Sequence, residues 1–272
     1  MLSQNMTIPT KNGAISAIAF DAQNNASNDD TSPDENCALV LLHDVHGLDE
    51  ATQQAAAHLA DLGYAVVAPD LFAYNPPVAV EGKELDEAAL LDYASTLSDS
   101  RAVEEALAAI EMLAQNNDSS TRIGVVGFGW GGAIALMAAS HDSRVRVAAN
   151  IGGTISYPVL SPQRPGSPLN FVANLEGALF AAFAGHDACT PHNEIERLRA
   201  RLVEHDKKGE VKTYDATARF WRDEQNPATR ALWLRLENFL NDYLREDPEA
   251  AFTAPQELPE DGYPNDASRL HA

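Results

Sequence analysis

The sequence predicts an α/β fold: a mostly parallel central sheet with helices on both faces. Three observations carry this. Apolar runs recur without interruption (Ala38–Leu42, Tyr64–Ala68, Ile123–Gly127), as in strands covered on both sides. Helical spacing fills the stretches between them, so strands alternate with helices. At 272 residues with 45% apolar side chains, the chain suits one such domain with an ample core.

The elements follow in order. Residues 1–5 read as an extension, and 6–20 as a hairpin turning at Asn12-Gly13. The polar stretch 21–36 (DAQNNASNDDTSPDEN) has little to bury and reads as a surface loop. From Cys37 an apolar strand runs to His43-Asp44. Ala55, Leu59 and Leu62 share a helical face that Gly63 ends, and Tyr64–Ala68 is the next strand. Pro69 to about Thr96 reads as a loose connection. Ser100 is the expected N-cap of a helix carrying Val103, Leu107, Ile110 and Leu113 on one face. Ile123–Gly127 is a strand, and Ala133–Ala139 an Ala-rich buried helix. Strands at Val145–Ile151 and Ala178–Ala184 flank a Pro- and Gly-rich insertion, 152–177. A helix from about Asn193 to His205, a short strand near Val211–Tyr214 and a closing helix over about Asn226–Arg245 complete the domain, 6–245. The closing helix has Leu232, Leu236, Phe239 and Tyr243 on one stripe. Residues 246–272, with four prolines, read as an acidic tail.

Composition excludes several functions. Lys and Arg number 19 against 40 Asp and Glu, a formal charge of −21. Phosphate neutralisation needs clustered cations, so the chain is not expected to bind nucleic acid. No apolar run reaches the roughly 18 residues of a membrane span, and Met1–Pro9 lacks a cationic segment followed by an apolar one. Two cysteines, Cys37 and Cys189, are too few for a disulfide framework and fit a reducing, cytoplasmic setting.

Four motifs sit where chemistry would be expected. Gly127-Phe128-Gly129-Trp130-Gly131-Gly132 lies between a strand and a helix, the place of a G-x-Ser/Cys-x-G nucleophile elbow. Leu42-His43-Asp44-Val45-His46-Gly47-Leu48, Gly63 to Phe72 (GYAVVAPDLF) and Gly185-His186-Asp187-Ala188-Cys189-Thr190-Pro191 flank it in order. Together they resemble the dienelactone hydrolase family of α/β-hydrolases, whose patterns are H-E-x-x-G-L, G-Y-x-x-x-A-P-D-L-F/Y and an acid-bearing G-x-x-D-x-x-x-P loop. The resemblance covers about 6–245. It implies the α/β-hydrolase fold, small ester or lactone substrates, and an oxyanion site built from the Trp130 N–H and the Asp44–His46 segment (Asp44, Val45, His46).

The catalytic positions depart from that pattern. Gly129 stands where the family has Cys or Ser, and no Ser, Cys or Thr occurs between Thr121 and Ser140. The acid is kept in Asp187. The Y-x-x-A-x-H segment that carries the family's base reads Tyr214-Asp215-Ala216-Thr217-Ala218-Arg219, and the guanidinium of Arg219 stays protonated near neutral pH. Asp44 replaces the glutamate of the H-E segment. An elbow nucleophile is held in sparsely allowed geometry at a cost of about 1–3 kcal/mol, and glycine relieves that strain. The expected pairing is Arg219 with Asp187.

Other chemistry fares less well. His43 is expected to be structural. Cys189 near Asp187 and His192 offers a substitute thiol. A metal joining the His43–His46 loop to the His186–His192 loop would have to span three strand spacings, roughly 14 Å, and ligand bonds of about 2.1 Å do not reach that far. Neither a metal nor a cofactor is implied. The leading reading is a family member without catalysis, kept as a binding or assembly subunit. The alternative is a hydrolase of small esters or lactones that uses Cys189 or an activated water. A protein partner would attach through loop 21–36, insertion 152–177 or tail 246–272, and a small molecule through the vestigial cleft.

Overall fold

Cys37–Leu42 is buried at every position, so both of its faces must be covered. The structure, a computed structural model, describes residues 3–23, 37–74, 87–116 and 121–245. Eight strands form one sheet: β1 (Ser3–Thr10), β2 (Gly13–Phe20), β3 (Cys37–Leu42), β4 (Ala65–Pro69), β5 (Arg122–Phe128), β6 (Val145–Ile151), β7 (Ala178–His186) and β8 (Gly209–Thr217). Their order is β1-β2-β4-β3-β5-β6-β7-β8. β1–β2 and β2–β4 pair antiparallel and the remaining pairs are parallel.

The period-two alternation of β3 separates two cores. Leu39 and Leu41 face one with α1 (Glu50–Asp61) and α6 (Pro227–Leu240). Val40 and Leu42 face the other with α3 (Asp99–Asn116), α4 (Trp130–Ala139) and α5 (His192–Glu204). A further helix, α2 (Glu87–Thr96), occupies part of the stretch read from sequence as loose, and Ala94 reaches the second core. Every residue of α4 is buried, which explains its small, apolar composition.

Some boundaries differ from expectation. β1 starts at Ser3, so the domain reaches into the segment read as an extension. The hairpin turns at Lys11-Asn12, and Gly13 (φ 127°) opens β2. Ser100 lies inside α3, and Ser98 caps it: its Oγ accepts the Arg101 N–H at 3.4 Å and its carbonyl the Ala102 N–H at 3.0 Å. The insertion 152–177 contains a short 3₁₀ helix, Pro168–Asn174. Residues 24–36 of the polar loop and the tail 246–272 lie outside the described residues.

One buried acid has a pH signature. Glu105 on α3 is 3% exposed beside Arg101 (3.3 Å), and burial pushes its pKa up to about 7. The folded carboxyl therefore keeps its proton where the unfolded one, near 4.5, has lost it. Stability is full below the unfolded value and falls as pH rises toward 7. Glu105→Gln removes this loss. Its free energy of unfolding in urea should rise relative to the parent between pH 5 and pH 8, by up to about 3 kcal/mol. An unchanged difference across that range would contradict the assignment.

Candidate active site at the β5–α4 elbow

The carboxyl edge of a parallel sheet gathers the loops that follow its strands. Here those loops bring together His43–Asp49 after β3, Gly129 after β5, Asp187–Pro191 after β7 and Arg219–Arg222 after β8. Gly129 joins β5 to α4 with φ 53° and ψ −124°, a region sparsely allowed to any residue with a side chain. Its N–H donates to the Ile151 carbonyl at 2.8 Å, and its own carbonyl accepts from Gly132 at 3.0 Å. The backbone of a nucleophile elbow is thus present with a hydrogen atom in the nucleophile's place.

The space around that hydrogen is occupied. A Cβ built on Gly129 lies 3.0 Å from Asp44 Cβ and 3.6 Å from Cζ2 of Trp221. One built on Gly152 would fall 2.1 Å from the same indole. Trp221 therefore lies across the ends of β5 and β6. It comes from a short 3₁₀ helix, Phe220–Arg222, opened by Arg219 in left-handed geometry (φ 58°, ψ 27°). That turn carries the chain from β8 back toward α1.

Arg222, on the same turn, is a site residue the sequence did not reveal. Its Nη1 donates to Asp44 Oδ2 at 3.0 Å and its Nη2 to Asp49. Asp44 is 2% exposed, and its other oxygen accepts the His46 N–H at 2.9 Å and faces His46 Nδ1 at 3.0 Å. Burial alone would raise the pKa of Asp44; the hydrogen bonds from His46 and the charge of Arg222 outweigh it and hold the carboxyl below its ordinary value. Asp49 also caps α1, accepting the Thr52 N–H at 3.1 Å.

The remaining candidates separate by role. His43 is fully buried: its Nδ1 donates to the Asp44 carbonyl at 2.7 Å and its Nε2 accepts the Leu71 N–H at 3.0 Å. It ties the β3 loop to the segment after β4, as expected of a structural histidine. Burial holds it neutral by lowering its pKa. Val45 packs its side chain into the core. The Trp130 indole is also a packing group: its Nε1 donates to Asp99 at 2.9 Å, and Asp99 takes the Tyr157 hydroxyl at 2.6 Å, locking the elbow helix to the insertion. The Trp130 backbone N–H opens α4, where helices leave donors without intrahelical partners.

The expected Arg219–Asp187 ion pair is not formed. Asp187 accepts the Cys189 N–H at 2.8 Å instead, and the left-handed backbone at Arg219 turns the chain at the point where the base was expected. Both charges still act on Cys189. Burial and the Asp187 carboxylate push its thiol pKa up, with Arg219 in partial opposition. A raised pKa lowers the thiolate fraction, so Cys189 is a poor nucleophile. Among the described residues, no three His, Cys, Asp or Glu side chains converge as metal ligands.

The arrangement (an elbow after β5, an acid after β7, a buried acid and histidine after β3) matches a known sequence pattern. The model of the dienelactone hydrolase family matches residues 26–244, most of the chain. The chain belongs to the dienelactone hydrolase family. Within it, the carboxymethylenebutenolidase of Rhodococcus opacus is 29% identical over 234 residues, covering 80% of this chain and 85% of that protein. A solved Klebsiella pneumoniae structure superposes with a TM-score of 0.77 at 19% identity, over 89% of this chain and 99% of that one. An esterase from Pyrococcus furiosus superposes at 0.65 and 17% identity, over 89% and 93%. Likenesses at these identities establish the α/β-hydrolase fold. Among the described residues no helix is long and apolar enough to cross a membrane.

Proposed function

We propose that this family member does not hydrolyse esters or lactones through the elbow and serves instead as a binding or assembly subunit. The observation that carries the reading is Gly129 in elbow backbone geometry with Asp44 and Trp221 against the place of the missing side chain. Arg219 in the base's sequence position supports it, because a permanent cation accepts no proton. The acid Asp187 is then a remnant that holds its own loop through the Cys189 N–H.

Assembly finds support in the insertion 152–177, where Val159 and Leu160 are 78% and 53% exposed. This is the surface through which a protein partner would attach, together with loop 21–36 and tail 246–272. A cytoplasmic setting is part of the proposal, since two cysteines, Cys37 and Cys189, are too few for the disulfide framework of a secreted domain.

A second reading rests on the Asp44–His46 pair. A buried carboxylate on Nδ1 orients an imidazole for base catalysis through Nε2, so a water near Gly129 could replace the missing nucleophile. The two readings separate in one assay. Purified protein is offered an aryl acetate and the lactone substrate of carboxymethylenebutenolidase, beside the His46→Gln variant. The first reading expects rates equal to the buffer control in both proteins. Turnover that His46→Gln abolishes would install the second.

A further inference from the structure

Beside the elbow, on the side of the sheet that carries α1 and α6, lies a cavity of about 340 Å³. Its size is that of a small-molecule site. Three rings form its walls: Phe128 at the end of β5, Trp221 and Trp233. Phe128 stands 6.2 Å from Trp221 at 34° and 5.9 Å from Trp233 at 53°, centroid to centroid. Rings so inclined enclose a volume rather than a flat slot. Aromatic faces carry negative quadrupole charge and attract cations.

The fixed charges favour the same sign. At the inner end Arg222 is shared by two carboxylates, Asp44 in the cavity wall and Asp49 outside it, one acid more than the single arginine offsets. At the mouth Glu224 and Arg230 cancel. The whole chain adds a field from −21 formal charges, which repels anions and draws cations.

We propose that this cavity binds a small organic cation of the alkylammonium class, its charged head seated among Phe128, Trp221 and Trp233. The inference deepens the reading of the protein as a binding member and names the ligand class. The Asp44–Arg222 pair lines the inner end of the cavity and holds the turn that presents Trp221.

The test compares choline with its uncharged tert-butyl isostere by calorimetry and tryptophan emission, informative because two of the three tryptophans line the cavity. Choline is expected to bind at least about tenfold more tightly than the isostere, the size of a desolvated cation–π contribution. Trp233→Leu should weaken choline at least about tenfold, and Arg230→Gln, at the exposed rim, should strengthen it. Equal binding of the isostere, no saturable choline binding, or choline binding unchanged in Trp233→Leu would overturn the proposal. Ester turnover in the same preparation would end the silent-elbow reading and leave the cation site standing. Absent choline binding without turnover would do the reverse.

Discussion

Gly131→Ala is expected to abolish stable folding, with a loss above about 4 kcal/mol. A Cβ at this position would lie 2.4 Å from the carbonyl oxygens of both Leu42 and His43. Those atoms belong to the end of β3 and the loop that carries Asp44, so neither can retreat without breaking the sheet edge that forms the site. Gly127 is constrained alike, its Cβ falling 2.1 Å from the Gly131 carbonyl oxygen. The two glycines framing the elbow are thus demanded by backbone contact between strand and helix, independently of catalysis. This explains how the frame persists while its central residue carries no nucleophile. Soluble yield and urea unfolding of the variant check the prediction; a cooperative transition within 1 kcal/mol of the parent would show that the strand–helix contact is looser than described.

Arg222→Met should cost about 3–5 kcal/mol at neutral pH, the range for removing one partner of a buried ion pair. Asp44, 2% exposed, would keep its bonds from His46 but lose the cation that offsets its desolvation. The pH dependence identifies the cause. In the parent the folded pKa of Asp44 is depressed, so its contribution is present above the unfolded value, 3.8, and is lost as pH falls through the lower folded value. In the variant the carboxyl's pKa rises, and protonation relieves the penalty. The difference between the two proteins should therefore be largest near pH 7 and shrink toward pH 4. A difference independent of pH would assign the loss to packing of the arginine stem alone.

What was legible in the sequence was what depends on local pattern. The apolar runs at Ala38–Leu42 and Ile123–Gly127 mark doubly covered strands because every position is apolar or glycine, and β3 and β5 are buried throughout all but their first turnward residue, Arg122. The helix Glu87–Thr96 escaped because its apolar residues do not gather on one face. Gly129, Asp187 and Asp44 were found through motif spacing. Trp221 and Arg222 were not, since they matter only after the left-handed turn at Arg219 brings them to Asp44, 178 residues before Arg222 in sequence. The Arg219–Asp187 pairing failed for the same reason: adjacency in the motif order does not fix where a side chain goes once the backbone turns.

The central claim is that the elbow forms no covalent intermediate. Incubation with excess aryl acetate, acid quench, and peptide mapping by mass spectrometry test it directly. The account predicts no acetyl group on the segment 121–140 and none on Cys189 that disappears on dilution. An acetyl group on either that forms and then turns over would contradict it.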